Sequence, residues 1–262
     1  MIIALSEYML YTTRKIHLYT VFRKADYDMG EPILKDLKGS AYEILKEKLI
    51  NCEYLPGSML NENQLSSAMG VSRTPIREAL TRIEHEGFVK IIPKKGIYVT
   101  DVSLSDVLQI FDCRIEIEPI ALKMAAPRLS VEHLLDFKAR FAGEEPDVRS
   151  AFRVDTAMHL FIIEHCGNRF IIDMMRRLFE ENMRVIISSK QNEVKIHDAR
   201  REHLEIIELL LDGKIDEAST AMRNHIKCCK KSALDFFYNS QSYYAQANDT
   251  TYRSYLPYAG ND

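Results

Sequence analysis

The chain has 262 residues, 46% of them hydrophobic, so it is long enough to form one large or two ordinary domains with a buried core. Its formal net charge of -3 gives no overall sign of a nucleic-acid or membrane partner, although acidic residues elsewhere could mask a small basic face. Five cysteines without a C-x-x-C motif argue against a disulfide framework and favour the reducing cytoplasm, and the lack of a long apolar run argues against a membrane partner.

The N-terminal segment over residues 1–38 lacks a clear helical or strand period, although YTTRKIHLYTVF could form a short strand. We interpret this segment as an N-terminal extension. Helical patterning starts only after Met29, which raises the hypothesis that translation begins there and that the preceding residues are not native. The intact mass of the native protein would test this hypothesis.

Three helices are predicted after this extension. The first runs from Ser40 to the YLPGS turn, and the second covers residues 62–69 between an Asn61 cap and Gly70. The third lies in GVSRTPIREALTRIEHEGFV and ends at a glycine. The stretch FVKIIPKKGIYVT then predicts two strands joined by a turn. Three helices followed by a hairpin indicate a winged helix-turn-helix domain over residues 39–101.

The third helix has a cationic N-terminal end. Ser72 or Thr74 can cap it, and Arg73 and Arg77 project from the end that carries the positive helix dipole. Arginine side chains can pair with guanine edges in the major groove, while hydroxyls and free amides hold phosphate. The turn between the strands adds two lysines and a glycine that would follow the DNA backbone. The predicted DNA-binding residues are Ser72, Arg73, Thr74, Arg77, Lys94, Lys95 and Gly96.

The alternative for the two arginines is a solvated helix face on which they pair with Glu78 and Glu62. Their position in a helix-turn-helix with a wing favours DNA. The run LNENQLSSAMGVSRTPIREALTRIEHEGFVKIIPKKGIYV also resembles the DNA-binding domain of the GntR family of bacterial transcription regulators, over about residues 40–100. The resemblance implies that Arg73, Thr74 and Arg77 touch DNA. Some relatives carry an arginine where this chain has Asn63, which implies one weaker phosphate contact.

The remaining sequence predicts a second, all-α domain over residues 102–238, and so a mainly α fold for the whole chain. Residues 239–262 are polar, with scattered tyrosines and no sustained period, and are expected to be mostly unstructured. About seven amphipathic segments are predicted, at 103–111, 113–126, 131–142, 148–166, 169–190, 196–212 and 215–238.

Four polar residues on the apolar faces of these helices suggest a metal site. Asp155 and His159 lie one helical turn apart, and His203 and His225 come from two other predicted helices. Imidazoles and a carboxylate that converge in a helical bundle form a divalent-metal site, for zinc, nickel or manganese. For each histidine taken alone, the alternative is an ordinary hydrogen-bonded core or surface residue, and chance convergence stays open.

The second domain resembles the FCD ligand-binding domain of the FadR-type branch of the GntR family. The segments FDCRIEIEPIALKMAA, DTAMHLFIIEHCGN and HLEIIELLLDGK carry the resemblance, over roughly residues 103–236. It implies that Asp155, His159, His203 and His225 hold the metal, that the metal helps bind a small carboxylate-bearing effector, and that Arg114 and Asn168 contact the effector. The alternative for Arg114 is an intrahelical ion pair with Glu118.

Together these patterns predict a metabolite-responsive DNA-binding regulator, a repressor, that acts as a homodimer on a pseudo-palindromic double-stranded operator. One alternative is a constitutive DNA binder whose metal is purely structural. The other is a metal-dependent enzyme. The sequence disfavours an enzyme because four protein ligands leave little room for substrate and because no H-E-x-x-H motif or comparable base is present.

Overall fold

The computed structural model describes residues 37–143, 148–189 and 199–246. The predicted N-terminal extension therefore lies outside the described residues, except for its last two positions, which already belong to the first helix. In chain order the N-terminal unit contains α1 (Leu37–Ile50), β1 (Met59–Leu60), α2 (Glu62–Met69), α3 (Arg73–His85), β2 (Val89–Ile92) and β3 (Gly96–Val99).

The helix-turn-helix is α2 followed by α3. The Asn61 side chain accepts hydrogen bonds from the first free amides of α2, and Gly70 closes the helix with a left-handed φ of 65°. The three strands form an antiparallel sheet in the order β1-β3-β2, with β2 and β3 as the wing. Strand β1 is not predicted from the sequence, because two residues are too few to leave an alternating pattern.

The buried side of α3 fixes the direction of its exposed side. Ile76, Leu80 and Ile83 are almost fully buried against α1 and against Phe88 at the start of the wing. Burial of each such side chain contributes roughly 1.5–3 kcal/mol. Because these positions share one helical face, the face that carries the arginines points away from the core.

The C-terminal unit consists of helices in all its described residues. They are α4 (Leu104–Ala125), a 3-10 turn (Ala126–Arg128), α5 (Val131–Ala142), α6 (Val148–Glu164), α7 (Arg169–Ser188), α8 (Arg200–Leu211) and α9 (Ile215–Gln246). The predicted fold, a winged helix-turn-helix followed by an all-α bundle, is confirmed. None of the described helices is long and apolar enough to cross a membrane.

Two boundaries of the predicted bundle are wrong. The segments predicted at 103–111 and 113–126 form the single helix α4, because Asp112 is an exposed residue that pairs with Lys230 of α9 and does not interrupt the backbone. Helix α9 also continues to Gln246, eight residues into the predicted unstructured tail. No glycine or proline occurs in that stretch to stop it. The rest of the tail, 247–262, lies outside the described residues.

Helix α7 joins the two units. Its Phe179 and Val185 belong to the core of the bundle, whereas Met183 packs against the core of the N-terminal unit. The bundle core also includes Met158 of α6, Ile206 of α8 and Met222 of α9. Because these apolar side chains turn inward, polar residues on the same helical faces are carried into the bundle.

Candidate metal centre and nucleic-acid interface

Three helices bring together the four predicted metal ligands. Asp155 and His159 come from α6, His203 from α8 and His225 from α9, and one ligand atom from each lies within 4.8 Å of the others. The three imidazoles are buried and Asp155 is half-buried. The Nε2 atoms of His159 and His225 are 3.1 Å apart, and Asp155 Oδ1 lies 3.2 Å from His203 Nε2 and 3.4 Å from His159 Nε2.

Two carboxylates behind the ligands set the orientation of two histidine rings. Glu118 of α4 lies 2.5 Å from Nδ1 of His159, and Glu202 of α8 lies 2.8 Å from Nδ1 of His225. A carboxylate only accepts hydrogen bonds when ionised, so each Nδ1 carries a proton. The neutral form of each ring then presents the Nε2 lone pair to the centre of the cluster. This carboxylate–histidine arrangement is the usual support of a protein metal ligand.

Neither carboxylate is among the site residues predicted from the sequence. Glu118 is predicted only as a possible ion-pair partner of Arg114, and Glu202 has no predicted role. The sequence does contain a signal for Glu118, because it lies four residues after Arg114 and both side chains therefore share one helical face. Glu202 immediately precedes His203 in the chain but supports His225 of another helix, and that pairing leaves no local pattern.

Arg114 is buried behind the cluster and forms the expected ion pair with Glu118, with 2.6 Å between Nε and Oε1. Its guanidinium also lies 4.8 Å from the ring centre of Phe179 and 5.4 Å from that of Phe111. Glu118 therefore bridges Arg114 and His159. The ion pair between Arg114 and Glu118, which was the alternative interpretation of Arg114, is present in the structure and lies directly beside the predicted metal ligands.

The ionisation of the cluster follows from burial and from these contacts. Burial would raise the pKa of Glu118, but Arg114 and His159 outweigh it and lower this pKa to about 2. Burial would lower the pKa of His159, but Glu118 and Asp155 raise it to about 9. Burial lowers the pKa of His225 to about 4, which the hydrogen bond to Glu202 only partly offsets. At neutral pH the His225 imidazole is therefore uncharged.

The unsatisfied atoms of the cluster fit a bound cation. Among the described residues, neither ring nitrogen of His203 has a hydrogen-bond partner, and neither does Oδ1 of Asp155. Buried polar atoms without partners are costly and therefore rare. Four atoms bound to one zinc ion at about 2.0–2.2 Å lie at most about 4.4 Å from each other. A contraction of a few tenths of an ångström would therefore give every ligand atom a shared partner.

Asn168, the second predicted effector contact, is not brought to this cluster. It is the N-cap of α7, where its side-chain oxygen accepts hydrogen bonds from the amides of Phe170 and Ile171. Eleven residues of helix, about 16 Å, separate it from Phe179, the α7 residue beside Arg114. The described contacts of its side chain are those of a helix cap, and an effector contact by Asn168 stays a prediction.

The predicted DNA-contacting end of α3 is exposed. The side chains of Arg73 and Arg77 are 60% and 65% exposed, and Arg77 donates a 2.8 Å hydrogen bond to Glu62 of α2, which also lies 3.9 Å from Arg73. Ser72 is the N-cap residue of α3, but its hydroxyl forms no capping hydrogen bond, and Thr74 is exposed as well. The expected acidic partner Glu62 is thus present, and it leaves both guanidiniums accessible.

The wing tip presents two exposed lysines, Lys94 and Lys95. Gly96 follows them with φ of 128°, and a Cβ atom added there would lie 2.9 Å from the carbonyl oxygen of Leu60. The close approach that requires a glycine is therefore to strand β1 of the same sheet. A DNA contact by Gly96 stays a prediction.

Comparisons with known proteins agree with this architecture. Residues 37–99 match the gntR family of bacterial regulatory proteins, and residues 109–227 match the FCD domain. The chain is 30% identical to an HTH-type transcriptional regulator from an unstable DNA locus of Streptomyces ambofaciens, over 71% of this chain and 80% of that protein. It is 24% identical to the HTH-type transcriptional repressor RspR of Escherichia coli, over 78% of this chain and 92% of RspR.

Two solved structures have the same fold. Escherichia coli McbR/YncC aligns over 78% of this chain and 100% of its own, with a TM-score of 0.66 and 18% identity. A GntR regulator from Rhodococcus aligns over 76% and 97%, with a TM-score of 0.64 and 21% identity. The families and relatives matched are regulators and not enzymes. The chain belongs to the GntR family of bacterial transcriptional regulators, in the group whose C-terminal domain is an FCD domain.

Proposed function

We propose that this regulator is a cytoplasmic homodimer that represses transcription from a pseudo-palindromic operator, and that a divalent metal and a small organic acid in its C-terminal domain control its affinity for DNA. The observation that carries the sensing part is the cluster of Asp155, His159, His203 and His225, with two of its imidazoles supported by carboxylates. The name of the relative RspR, a repressor, supports the direction of control.

The cluster would supply one carboxylate and three imidazole ligands. This donor set suits zinc, nickel and manganese, and the bound ion would supply a positive centre that attracts a carboxylate. An octahedral ion leaves two positions for that carboxylate. Arg114 is the second proposed contact: among the described residues its guanidinium hydrogen-bonds through Nε to Glu118, and the two Nη groups would remain to receive a ligand oxygen.

The sensing proposal is tested by measuring metal content and then ligand-induced stabilisation. We expect the purified protein to bind about one divalent ion per chain and to lose it to a chelator. Sugar acids, hydroxy acids and dicarboxylates are then screened by thermal shift with and without the ion, since a ligand that binds the folded state raises its melting temperature. His203→Ala should bind neither ion nor acid. Full metal occupancy in His203→Ala would remove this residue from the site.

The DNA-binding proposal is tested with two variants that separate base reading from phosphate binding. Arg77→Ala should lose about 1–3 kcal/mol on the operator and relax its sequence preference. Lys95→Ala should weaken binding to all duplexes alike and lower the salt dependence by about one ion. Arg140→Ala, an exposed change on α5, is the control. An unchanged footprint in Arg77→Ala would refute the base-reading role.

A structural metal in a constitutive DNA binder is the second candidate function. The observation that favours it is the number of protein ligands, because four are enough to complete the tetrahedral shell of a structural zinc ion. In that case organic acids would leave both the melting temperature and the DNA affinity unchanged, although removal of the metal would destabilise the bundle.

A further inference from the structure

Helix α7 touches the metal cluster on one side. Its Phe179 is buried, with the ring centre 4.8 Å from the Arg114 guanidinium and 6.2 Å from the centre of the His159 ring. An ion drawn between the four ligands would require small shifts of the rings that surround it, including the His159 ring. Phe179 lies beside both the His159 ring and the Arg114 guanidinium, which pairs with the carboxylate that supports His159. A shift of His159 or of Arg114 can therefore reach α7 through Phe179.

The next residue of α7 is held by the DNA-binding domain. Glu180 forms a 2.9 Å ion pair with Lys46 of α1, and the same ammonium lies 2.9 Å from Glu86. Glu86 is the residue that ends the DNA-reading helix α3. The side chains of Lys46 and Glu180 are only 10% and 8% exposed. Their pairing is therefore not the weak, interchangeable contact of a solvated surface.

Two arginines of α7 reinforce this junction. Arg177 donates to the backbone carbonyl of Glu86, and Arg184 donates to the carbonyl and hydroxyl of Thr100, the residue that follows the last wing strand. Arg184 is 1% exposed. Helix α7 thus contacts the C-terminal end of α3 and the base of the wing through hydrogen bonds. Under the function proposed above, α3 and the wing are the two elements that bind DNA.

We propose that Lys46 and Glu180 are positioning residues that transmit metal occupancy at the cluster to α3 and the wing. The inference rests on the proposed function, since it requires that the cluster binds a metal. Phe179 and Glu180 are consecutive residues of one helix, so a rotation or shift that relieves contact at Phe179 also displaces the carboxylate of Glu180. Loss of a partner is costly for a buried charge, so the Lys46 ammonium should move with the Glu180 carboxylate. Glu86, which pairs with the same ammonium, should then move with Lys46.

The test compares how zinc changes DNA affinity in matched variants of the full chain. The duplex is an operator selected from random DNA with the wild-type protein, and binding is measured by fluorescence anisotropy in zinc and after chelation. Lys46→Met removes the ammonium but keeps an unbranched stem beside the Tyr42 and Phe88 rings, over which the lysine lies. Lys48→Met is the control, because Lys48 is a half-buried residue of the same helix that pairs only with Glu53 among the described ion pairs.

We expect zinc to change the DNA Kd of the wild type and of Lys48→Met by about 5-fold or more, in the range of ordinary coupling between sites. In Lys46→Met the ratio of the DNA Kd in chelator to the DNA Kd in zinc should fall close to one. The zinc Kd measured without DNA should stay within about 2-fold of the wild type. A merely structural role would lower both DNA affinities together and keep their ratio. By reciprocity, DNA should shift the zinc Kd of the wild type by the same factor.

Glu180→Gln is the second variant, should Lys46→Met fold poorly. It keeps the shape of the side chain and the Lys46–Glu86 pair, and removes only the charge on α7. It should abolish the zinc-dependent ratio as well. A wild-type ratio in the folded variants would overturn the inference and leave the proposed function standing. A wild type that binds zinc with an unchanged DNA Kd would also overturn it, and a wild type that binds no divalent metal would refute the proposed function itself.

Discussion

Opposing effects set the pKa of His159: burial lowers it, and the carboxylates of Glu118 and Asp155 raise it. Its Nδ1 faces Glu118 and its Nε2 faces the ligand atoms of the cluster, and its pKa is raised to about 9 from an ordinary value near 6.5. A raised pKa of a histidine stabilises the folded state fully below pH 6.5, and this contribution is lost as the pH rises through 9. The metal-free protein should therefore lose stability from this group between pH 6.5 and 9.

The same residue predicts how many protons metal binding displaces. At pH 7.5 metal-free His159 is protonated, whereas the pKa of His225, lowered to about 4 by burial, leaves that ring neutral. The pKa of Asp155 is held well below its ordinary value: burial would raise it, but the neighbouring His203 and His159 rings outweigh burial. Zinc should therefore displace the His159 proton at pH 7.5, and fewer protons should be released at pH 9.5, where His159 is already largely deprotonated.

The proton count comes from calorimetric titration of zinc in buffers with different ionisation enthalpies. The melting temperature measured across pH 6–9.5, in chelator and in zinc, provides the companion test. The gap between the two curves should widen with pH, because bound zinc replaces the proton that the metal-free protein loses. The same number of protons released at pH 7.5 and at pH 9.5 would contradict the assignment of His159.

Glu118 should be the most important residue of the site that does not touch the metal. Glu118→Gln removes the charge that accepts the Nδ1 proton of His159 and leaves Arg114 without its buried partner. We expect the metal affinity to fall by about 10–100-fold, as for other supporting carboxylates. Competition with a chromophoric chelator measures it. Glu116→Gln, an exposed change on the same helix that affects only the Arg223 pair, should bind metal like the wild type.

Two glycines of the DNA-binding domain have a positive φ but differ in its value, 65° at Gly70 and 128° at Gly96, and in their surroundings. Gly70 has φ of 65°, and a Cβ atom added there would meet nothing within 4 Å. Gly70→Ala should therefore cost only the left-handed backbone term, about 1–2 kcal/mol. Gly96→Ala meets the carbonyl oxygen of Leu60 at 2.9 Å in addition, so the β1–β3 pairing should suffer and the cost should be larger.

Urea unfolding of both variants measures this difference. Equal costs would show that the wing adjusts around the added methyl group. Binding of both variants to a random duplex separates the sheet from the DNA contact. If Gly96 serves only the sheet, the folded fraction of Gly96→Ala at low temperature should bind DNA with an affinity near that of Gly70→Ala.

The helix-turn-helix was predictable because its signals are local. The Asn61 cap, the glycine after α2 and the apolar stripe of α3 each act within a few residues and each appear in the structure. The errors concern tertiary contacts. Asp112 interrupts the hydrophobic pattern but not the helix, because its partner Lys230 comes from α9.

The candidate metal site shows the same division. Asp155 and His159 share a helical face, which the sequence displays directly. Their convergence with His203 and His225 could be inferred only from a family resemblance, since the packing of α6, α8 and α9 is not encoded in any one segment. Glu202 leaves no local pattern because it supports a histidine of a different helix. The structure places Asn168 at the N-terminus of α7, and a helix break looks the same in sequence whether its asparagine caps the helix or binds a ligand.

At the scale of the assembly, a homodimer that presents two α3 helices predicts a regular footprint. The two protected half-sites should be centred one helical turn, about 10–10.5 base pairs, apart or a multiple of it. Hydroxyl-radical footprinting measures the spacing, and sedimentation equilibrium of the same sample measures the mass. A single protected half-site with a monomer mass would contradict the dimer. Arg77→Ala should lose protection in both half-sites equally, because each copy supplies the same residue.

The buried ion pair and hydrogen bonds between the two units limit how freely either unit could be exchanged for that of another protein. Cutting the chain near residue 101 would separate Lys46 from Glu180 and Arg184 from Thr100, and would expose Met183 to water. Glu180 would then lose its buried partner on what had been an interior surface. A chimera that joins the N-terminal unit to the sensor domain of another protein would therefore need α7 or an equivalent helix as well. The unit that recombination could move with its contacts intact is larger than the N-terminal domain alone.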